Sequence, residues 1–246
     1  MWRVVALVAV MGCHAEIQNN GIEIDASGSG GSDSGTSSDA PNLLPDAGPA
    51  CSSGRVVYLN FEGATLTQGA SDATTNHAVW MGTAGATATV PPFKAGVVDR
   101  LQQITDVTNL VRAAFAAYPI TVVTQRPAVG PYVMVGFGGT RQQVNVPYLY
   151  AVNRLDCGDA VKSDVAWIFD AVPSTQKTAD YAIGAVAFGL GLTGTNDVND
   201  CMCGWLTQCQ QTTTACTFST SITAVLQCPN QTNPQNEVAA LQAFCQ

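Results

Sequence analysis

Cysteine content is the feature that most restricts how this chain can fold. The sequence has 246 residues and nine cysteines. Cys13 lies close to the N-terminus, and the others form an even set, which in an exported protein is typical of disulfide bonds. The sequence does not fix the pairing, so all of the others are disulfide candidates: Cys51, Cys157, Cys201, Cys203, Cys209, Cys216, Cys228 and Cys245.

The first residues have the pattern of a bacterial export signal. Arg3 precedes a short apolar run, residues 4–10, which is far below the roughly 20 apolar residues that span a bilayer. The run continues into Val-Met-Gly-Cys, and this tetrapeptide resembles the lipobox of bacterial lipoproteins. The resemblance implies a signal peptide over residues 1–12 and a lipid on Cys13. An ordinary signal peptide, with Cys13 removed or left as a free thiol, is the alternative.

Residues 13–50 form a predicted tether. They are rich in Gly, Ser and Asp and contain no aromatic side chain to seed a core, so we expect a flexible, solvated segment. Such a leash behind a lipidated cysteine would hold a domain near a membrane, which makes the membrane a predicted partner. The chain has only ten Lys and Arg and a net charge of −8, so nucleic acid is not an expected partner.

Residues 51–246 read as one α/β (α+β) domain with a mixed sheet. β-branched and aromatic runs predict strands, and apolar positions three or four residues apart predict helices. The predicted elements are, in chain order, a strand at 55–61, a helix at 97–115, strands at 120–123, 132–137 and 164–169, a buried helix at about 179–192, and a C-terminal helix capped by Asn233-Pro234. This order favours a sheet with helices packed on it, followed by a Cys-rich C-terminal segment over residues 201–246.

The long first helix is predicted from an apolar stripe. Val97, Leu101, Ile104, Val111 and Phe115 recur at helical spacing, so we expect them to face the core. The second predicted helix is apolar nearly all round, which is typical of a buried helix, and it is too short to cross a membrane.

The stretch A-I-G-A-V-A-F-G-L-G-L-T-G-T-N-D-V-N-D-C-M, residues 182–202, resembles the metzincin clan of zinc proteases. That clan carries H-E-x-x-H-x-x-G-x-x-H on a buried helix, followed by a turn with a methionine. When the clan's glycine is set on Gly191, its methionine falls on Met202, and Asp200 also resembles the clan. The segments 58–63 and 122–127 resemble it as well. The resemblance covers residues 55–203 and implies a metzincin-like mixed sheet with a long first helix and a buried former active-site helix.

In the same alignment, none of the histidine and glutamate positions of the motif holds a residue that can bind metal or transfer a proton. The first histidine falls on Gly184, the general-base glutamate on Ala185, the second histidine on Phe188 and the third on Gly194. A catalytic zinc needs three protein ligands and a carboxylate that relays the proton of its water, and these side chains provide neither. The resemblance therefore implies a degenerate zinc site with no metal, no cofactor and no catalysis. A Gly- and Ala-rich core helix in an unrelated α/β fold is the alternative.

Other chemistries have weaker signals. The body contains a single histidine, His77, in a polar stretch where a solvated loop residue is the more common interpretation. A metal cluster built on Cys201, Cys203, Cys209 and Cys216 lacks the paired spacing of structural zinc sites. Residues 196–200 carry oxygen ligands without the spacing of a calcium loop. Several carboxylates could form a pair, but the sequence does not show which converge: Glu62, Asp164, Asp170, Asp197 and Asp200.

These inferences predict an exported, disulfide-bonded and lipid-anchored domain of the bacterial cell envelope, periplasmic or at the surface, or else a secreted one. Its expected function is binding of a peptide or protein in the former substrate cleft by a catalytically inactive protease-like fold. One alternative is a structural envelope protein without a cleft. A zinc peptidase with relocated ligands is a less favoured alternative, because the whole chain has only two histidines.

Overall fold

The computed structural model describes residues 54–83, 85–203, 215–225 and 228–245. The predicted signal peptide and tether, Cys13, Cys51 and Cys209 lie outside the described residues. The elements are β1 (Arg55–Asn60), β2 (Ala64–Gln68), β3 (His77–Ala78), β4 (Thr87–Val90), α1 (Arg100–Phe115), β5 (Ile120–Val123), β6 (Val133–Phe137), β7 (Ala151–Val152), β8 (Val165–Ile168), α2 (Thr175–Gly189) and α3 (Glu237–Gln242), with a 3-10 turn at Ala243–Cys245. None of the helices described is long and apolar enough to cross a bilayer.

The main sheet has five strands in the order β5-β1-β6-β8-β7. β5, β1, β6 and β8 run parallel, and β7 at one edge runs antiparallel to β8. Two neighbouring parallel strands need a long crossover connection. The connection from β1 to its parallel neighbour β5 contains α1. The fold is therefore mixed α/β with mixed sheets, as the sequence predicts.

Alternating side chains divide the domain into three layers. In β1, Val57 and Leu59 face the two long helices, whereas Tyr58 faces the other way. The second face is covered by a small sheet, in the order β3-β2-β4, which contributes Leu66 and Val90. Because successive strand residues point to opposite faces, a sheet buried on both sides must be apolar at nearly every position. All five residues of β6 are buried, as that rule requires.

A tryptophan from one strand covers a glycine in its neighbour. Gly136 of β6 pairs with Trp167 of β8, and a Cβ on Gly136 would overlap the Trp167 ring. The Trp167 indole N–H donates to the Gly138 carbonyl at 2.9 Å. On the same face, Trp80 donates its indole N–H to the carbonyl of Val165 at 2.6 Å. The two large rings thus fill the space between the sheets with their polar edges satisfied.

The structure corrects three details of the sequence prediction. The small sheet was not predicted at all, and His77 lies partly buried in its strand β3 rather than in a solvated loop. α1 begins at Arg100, so Val97 precedes it and is 43% exposed, and Leu101 is 75% exposed. α3 begins after an Asn236 cap rather than at Pro234. β1, β5, β6, β8 and the buried helix lie close to their predicted positions, whereas β7 of the main sheet was not predicted.

Candidate functional site

The candidate site is built on α2, which lies beneath the main sheet. The helix starts at Ser174, whose hydroxyl oxygen accepts a hydrogen bond from the backbone N–H of Lys177 at 3.3 Å, an N-cap interaction. Every residue from Ala182 to Gly189 is buried, because α2 packs against both the sheet and α1. A helix that is apolar on all sides can only be placed in the interior, as predicted.

α2 ends in a Schellman motif centred on Gly191. The Leu192 N–H donates to the Ala187 carbonyl at 2.9 Å, and the Gly191 N–H donates to the Phe188 carbonyl at 3.0 Å. Gly191 has a φ of +90°, a backbone conformation in which an L side chain is strained. A Cβ at this position would also lie 3.1 Å from the carbonyl oxygen of Asp156. Termination of the helix and close packing are therefore sufficient physical reasons for this glycine.

The four degenerate positions lie in or directly after α2, and all are buried. Gly184 and Ala185 are adjacent in the helix, Phe188 lies about one turn later, and Gly194 follows in the loop. Phe188 is 1% exposed and belongs to the same apolar cluster as Ala185 and Met202. None of the four side chains can bind a metal or move a proton. The interior at this point is filled by hydrocarbon.

Met202 lies next to this cluster and is itself fully buried. Its backbone carbonyl accepts a hydrogen bond from the Thr195 N–H at 3.4 Å, and its N–H donates to Asp200 Oδ1 at 2.8 Å. The structure thus brings the predicted turn methionine close to the loop that carries Gly194. Asp200 organises this turn, because Oδ1 also accepts a hydrogen bond from the Thr195 hydroxyl at 3.2 Å.

A buried carboxyl pair lies beside the turn, and only one member is among the acids that the sequence analysis considered. Asp200 is 1% exposed and Glu237, at the start of α3, is 0% exposed. Ser219 connects them: its hydroxyl donates to Asp200 Oδ2 at 3.0 Å, and its N–H donates to Glu237 Oε2 at 2.9 Å. Burial and the neighbouring Asp200 raise the pKa of Glu237 to about 8. An acid in the first turn of a short helix is usually exposed, so the sequence carried no signal for this role.

Two further acids in this region are buried. Burial raises the pKa of Asp180, in α2, to about 6, although the carboxylate accepts a hydrogen bond from the side chain of Gln176 at 2.9 Å. Burial raises the pKa of Asp164 to about 7. Asp164 Oδ1 accepts a hydrogen bond from the Val165 N–H at 2.8 Å, whereas Oδ2 has no hydrogen-bond partner. Asp164 borders a cavity of about 140 Å³ on the side of the small sheet.

The remaining carboxylates from the sequence analysis are used locally. Glu62 forms an ion pair with Arg100 at 2.9 Å. Asp170 accepts hydrogen bonds from the backbone N–H groups of Lys94 and Gly139, each at 3.0 Å. Asp197 Oδ1 accepts a hydrogen bond from the backbone N–H of Asn199 at 3.0 Å, so residues 196–200 form a turn. Of the five predicted acids, Asp197 and Asp200 share one turn, in which the Asp200 N–H donates to the Asp197 carbonyl at 3.0 Å.

Two disulfides that lie wholly within the described residues join the C-terminal part to the domain. Cys157 is bonded to Cys228, and Cys201 is bonded to Cys216. Cys203 is also disulfide-bonded. The thiolate cluster considered as an alternative is therefore wrong for Cys201, Cys203 and Cys216, because disulfide sulfurs are not thiolate ligands. Disulfide bonds are consistent with an extracellular or periplasmic location.

One edge of the main sheet lies next to α2. β7 pairs only with β8 among the described strands, so its other edge is not paired with any of them. Tyr150, just before β7, packs its ring on Tyr181 of α2 with ring centres 5.7 Å apart. Leu149 is 46% exposed beside it. This edge is where the resemblance implies that an extended chain would bind.

No group of three or more His, Cys, Asp or Glu in the described residues is arranged to hold a metal ion. No protein-family model matches the chain, and no curated protein matches it significantly.

Proposed function

We propose that this chain is an exported, lipid-anchored domain with a metzincin-like fold, that it has no protease activity, and that it binds extended peptide or protein segments. The observation that supports the loss of protease activity is the burial of Gly184, Ala185, Phe188 and Gly194, with Ala185 and Phe188 in the apolar core at the end of α2. A catalytic zinc site needs ligands and an open position for water. Because the core is close-packed around Phe188, it leaves no room for zinc ligands or for a bound water.

Binding would use the outer edge of β7. Both residues of β7 are buried, so the accessible part of this edge is the chain that leads into it, residues 148–150, along which an extended peptide would add as a further strand. Leu149, at the start of this edge, is partly exposed and would contact a bound peptide. Peptide binding in this mode needs no metal and no catalytic side chain, so it is compatible with the apolar former site.

The first experiment measures zinc and cleavage together. The oxidised full chain is incubated with zinc, dialysed and assayed for bound metal and for hydrolysis of a reduced, alkylated unfolded protein. We expect neither zinc nor cleavage. One equivalent of zinc accompanied by cleavage would contradict the proposal and support a peptidase with relocated ligands.

The second experiment tests the edge. A fluorescent, reduced and alkylated unfolded protein serves as the probe, and Leu149→Asp is compared with the wild type. The matched control is Val129→Asp, because Val129 is 86% exposed and lies between β5 and β6, and β5 is the edge of the main sheet opposite β7. We expect Leu149→Asp to weaken binding at least about tenfold, the effect of losing roughly 1.4 kcal/mol, and Val129→Asp to leave binding unchanged.

A structural envelope protein is the second candidate, and the filled space at Phe188 favours it. In that case the wild type would not bind the unfolded probe at millimolar concentration, and both aspartate variants would behave like it. The two experiments therefore separate a binding domain, a structural domain and an enzyme.

A further inference from the structure

A short polar chain fastens the C-terminal segment, defined here as residues 215–225 and 228–245, to the turn that follows α2. The three side chains of this connection are Asp200 from the turn, Ser219 from the segment and Glu237 from α3; we call them the carboxyl latch. Ser219 donates to both acids, at 3.0 Å and 2.9 Å. Ser219 thus brings the two carboxyl groups together, and the neighbouring Asp200 contributes to the raised pKa of Glu237.

A glutamine extends the latch to the other end of the turn. Gln235 donates its amide N–H to Glu237 Oε1 at 2.7 Å and to the Thr193 carbonyl at 3.0 Å. Its Oε1 accepts a hydrogen bond from the Thr193 N–H at 3.0 Å. The latch and Gln235 together therefore hold the turn at residue 193 and at residue 200, on both sides of Gly194.

Within the part of the chain that the structure describes, no cation balances the two acids of the latch. Among the described residues, neither Asp200 nor Glu237 forms an ion pair with a lysine, arginine or histidine. The ionisable groups that act on Glu237 are Asp200 and Tyr118, the latter from the loop after α1. Two carboxylates buried side by side without a cation repel each other strongly, and a shared proton removes this repulsion.

We propose that the carboxyl latch is a proton-dependent fastening, closed while Asp200 and Glu237 share one proton and released when that proton is lost. The C-terminal segment then separates locally from the 193–203 turn while the sheet stays folded. This inference does not depend on peptide binding or on the proposed function. It assigns a pH-sensitive element to the region that lies over Gly194 and Met202.

The sign of the pH effect follows from where the proton goes. In the closed latch the pair retains a proton up to about pH 8, whereas solvent-exposed carboxyls in the open form lose it near pH 4. Opening therefore releases one proton throughout this window, and the opening constant rises roughly tenfold for each pH unit. Above the window both forms are ionised and the dependence levels off.

Amide hydrogen exchange of the oxidised full chain tests the proposal. Exchange of peptides from the C-terminal segment is followed between about pH 5 and about pH 8 and corrected for the intrinsic rate. We expect the opening constant of the segment to rise roughly tenfold per pH unit, ahead of peptides from β1 and β6. In Glu237→Gln, whose amide can still donate to Asp200 but cannot ionise, the dependence should fall below about threefold between about pH 6 and about pH 8, above the range in which Asp180, which is hydrogen-bonded to the backbone of Cys216 in the segment, also titrates.

Asp164→Asn is the matched control, because it removes a different buried acid and should keep the full slope in the segment. The proposal is overturned if the opening constant of the wild-type segment does not change with pH, or if it still rises tenfold per pH unit in Glu237→Gln. If Glu237→Gln does not fold, Asp200→Asn removes the other half of the pair and must also reduce the slope. If neither folds, a tenfold wild-type slope that persists in Asp164→Asn supports the latch, and its absence rejects it.

Discussion

At the scale of single residues, backbone geometry and packing explain why particular side chains stand where they do. Gly191 ends α2 with a φ of +90° and lies against the carbonyl of Asp156. Phe188, one turn earlier, fills the interior with 1% exposure. One position requires the absence of a side chain and the other requires a large apolar one. The two requirements can be tested separately.

Gly191→Ala should lower the free energy of unfolding by about 3 kcal/mol, because alanine is strained at positive φ and its Cβ would crowd Asp156. The control is Gly130→Ala. Gly130 has a φ of +85° but no atom within 4 Å of a Cβ position, so only the strain of about 1 kcal/mol should remain. Urea denaturation of both variants gives the difference. Equal losses would show that packing against Asp156 contributes nothing.

Phe188→His should lower the free energy of unfolding by about 3 kcal/mol, because an imidazole would be buried without a polar partner. Zinc should not restore stability, since Gly184 and Gly194 offer no further ligand. Thermal denaturation with and without zinc measures this. Phe188→Leu is the control and should cost only about 1 kcal/mol. A rise in Tm with zinc would reveal ligands that the proposed function does not include.

At the scale of elements, the sequence was most informative where burial on both faces produced continuous apolar strands. β5 was predicted with its observed ends, and β1, β6 and β8 to within a residue at either end. The small sheet escaped prediction because Thr and Ala dominate β2 and β4 and because β3 has two residues. Such strands are defined by their partners in space rather than by their own pattern.

The Cys157–Cys228 and Cys201–Cys216 disulfides close loops of different length, and their removal should cost different amounts. Cys157 and Cys228 are 71 residues apart, whereas Cys201 and Cys216 are 15 apart. Replacing the first pair by alanine should lower the free energy of unfolding by about 4 kcal/mol and replacing the second by about 3 kcal/mol, because a longer loop restricts the unfolded chain more. Guanidinium denaturation of the two double variants tests the order, and a larger loss for the second pair would contradict it.

At the scale of the whole molecule, buried acids set how stability depends on pH. Burial raises the pKa values of Asp180, Asp164 and Glu237 to about 6, 7 and 8. Their folded pKa values exceed the unfolded ones, so the folded protein binds more protons and its stability falls as pH rises. The sequence did not predict this, because it shows which residues are acids but not which of them lose contact with water.

The Tm should therefore be highest near pH 5 and should decline up to about pH 8. Each of the three acids contributes up to about 1.4 kcal/mol per pH unit within its window. Asp164→Asn should flatten the decline between about pH 5 and about pH 7. Calorimetry across this range is the measurement. A stability maximum at pH 8 would mean that these carboxyl groups are not buried as described.

The candidate site shows the same division between what the sequence could and could not predict. Side-chain chemistry alone predicts that four positions are inert: Gly184, Ala185, Phe188 and Gly194. The first three are buried because α2 is apolar along this stretch, and Gly194 is buried in the loop that follows. The partnership of Asp200 with Glu237 joins residues 37 positions apart through Ser219. No local pattern carries that information, since it arises from the path of a loop-rich segment.

The position of β1 has a mechanical consequence. The strand begins at Arg55, next to the start of the described chain, yet it lies inside the sheet between β5 and β6. Arg55 is further held by an ion pair with Asp159 at 2.8 Å. Tension that entered the domain through residue 54 would therefore be shared by two ladders of backbone hydrogen bonds and a buried charge pair. A pull from the N-terminal side would meet an interior strand of the main sheet before any edge strand.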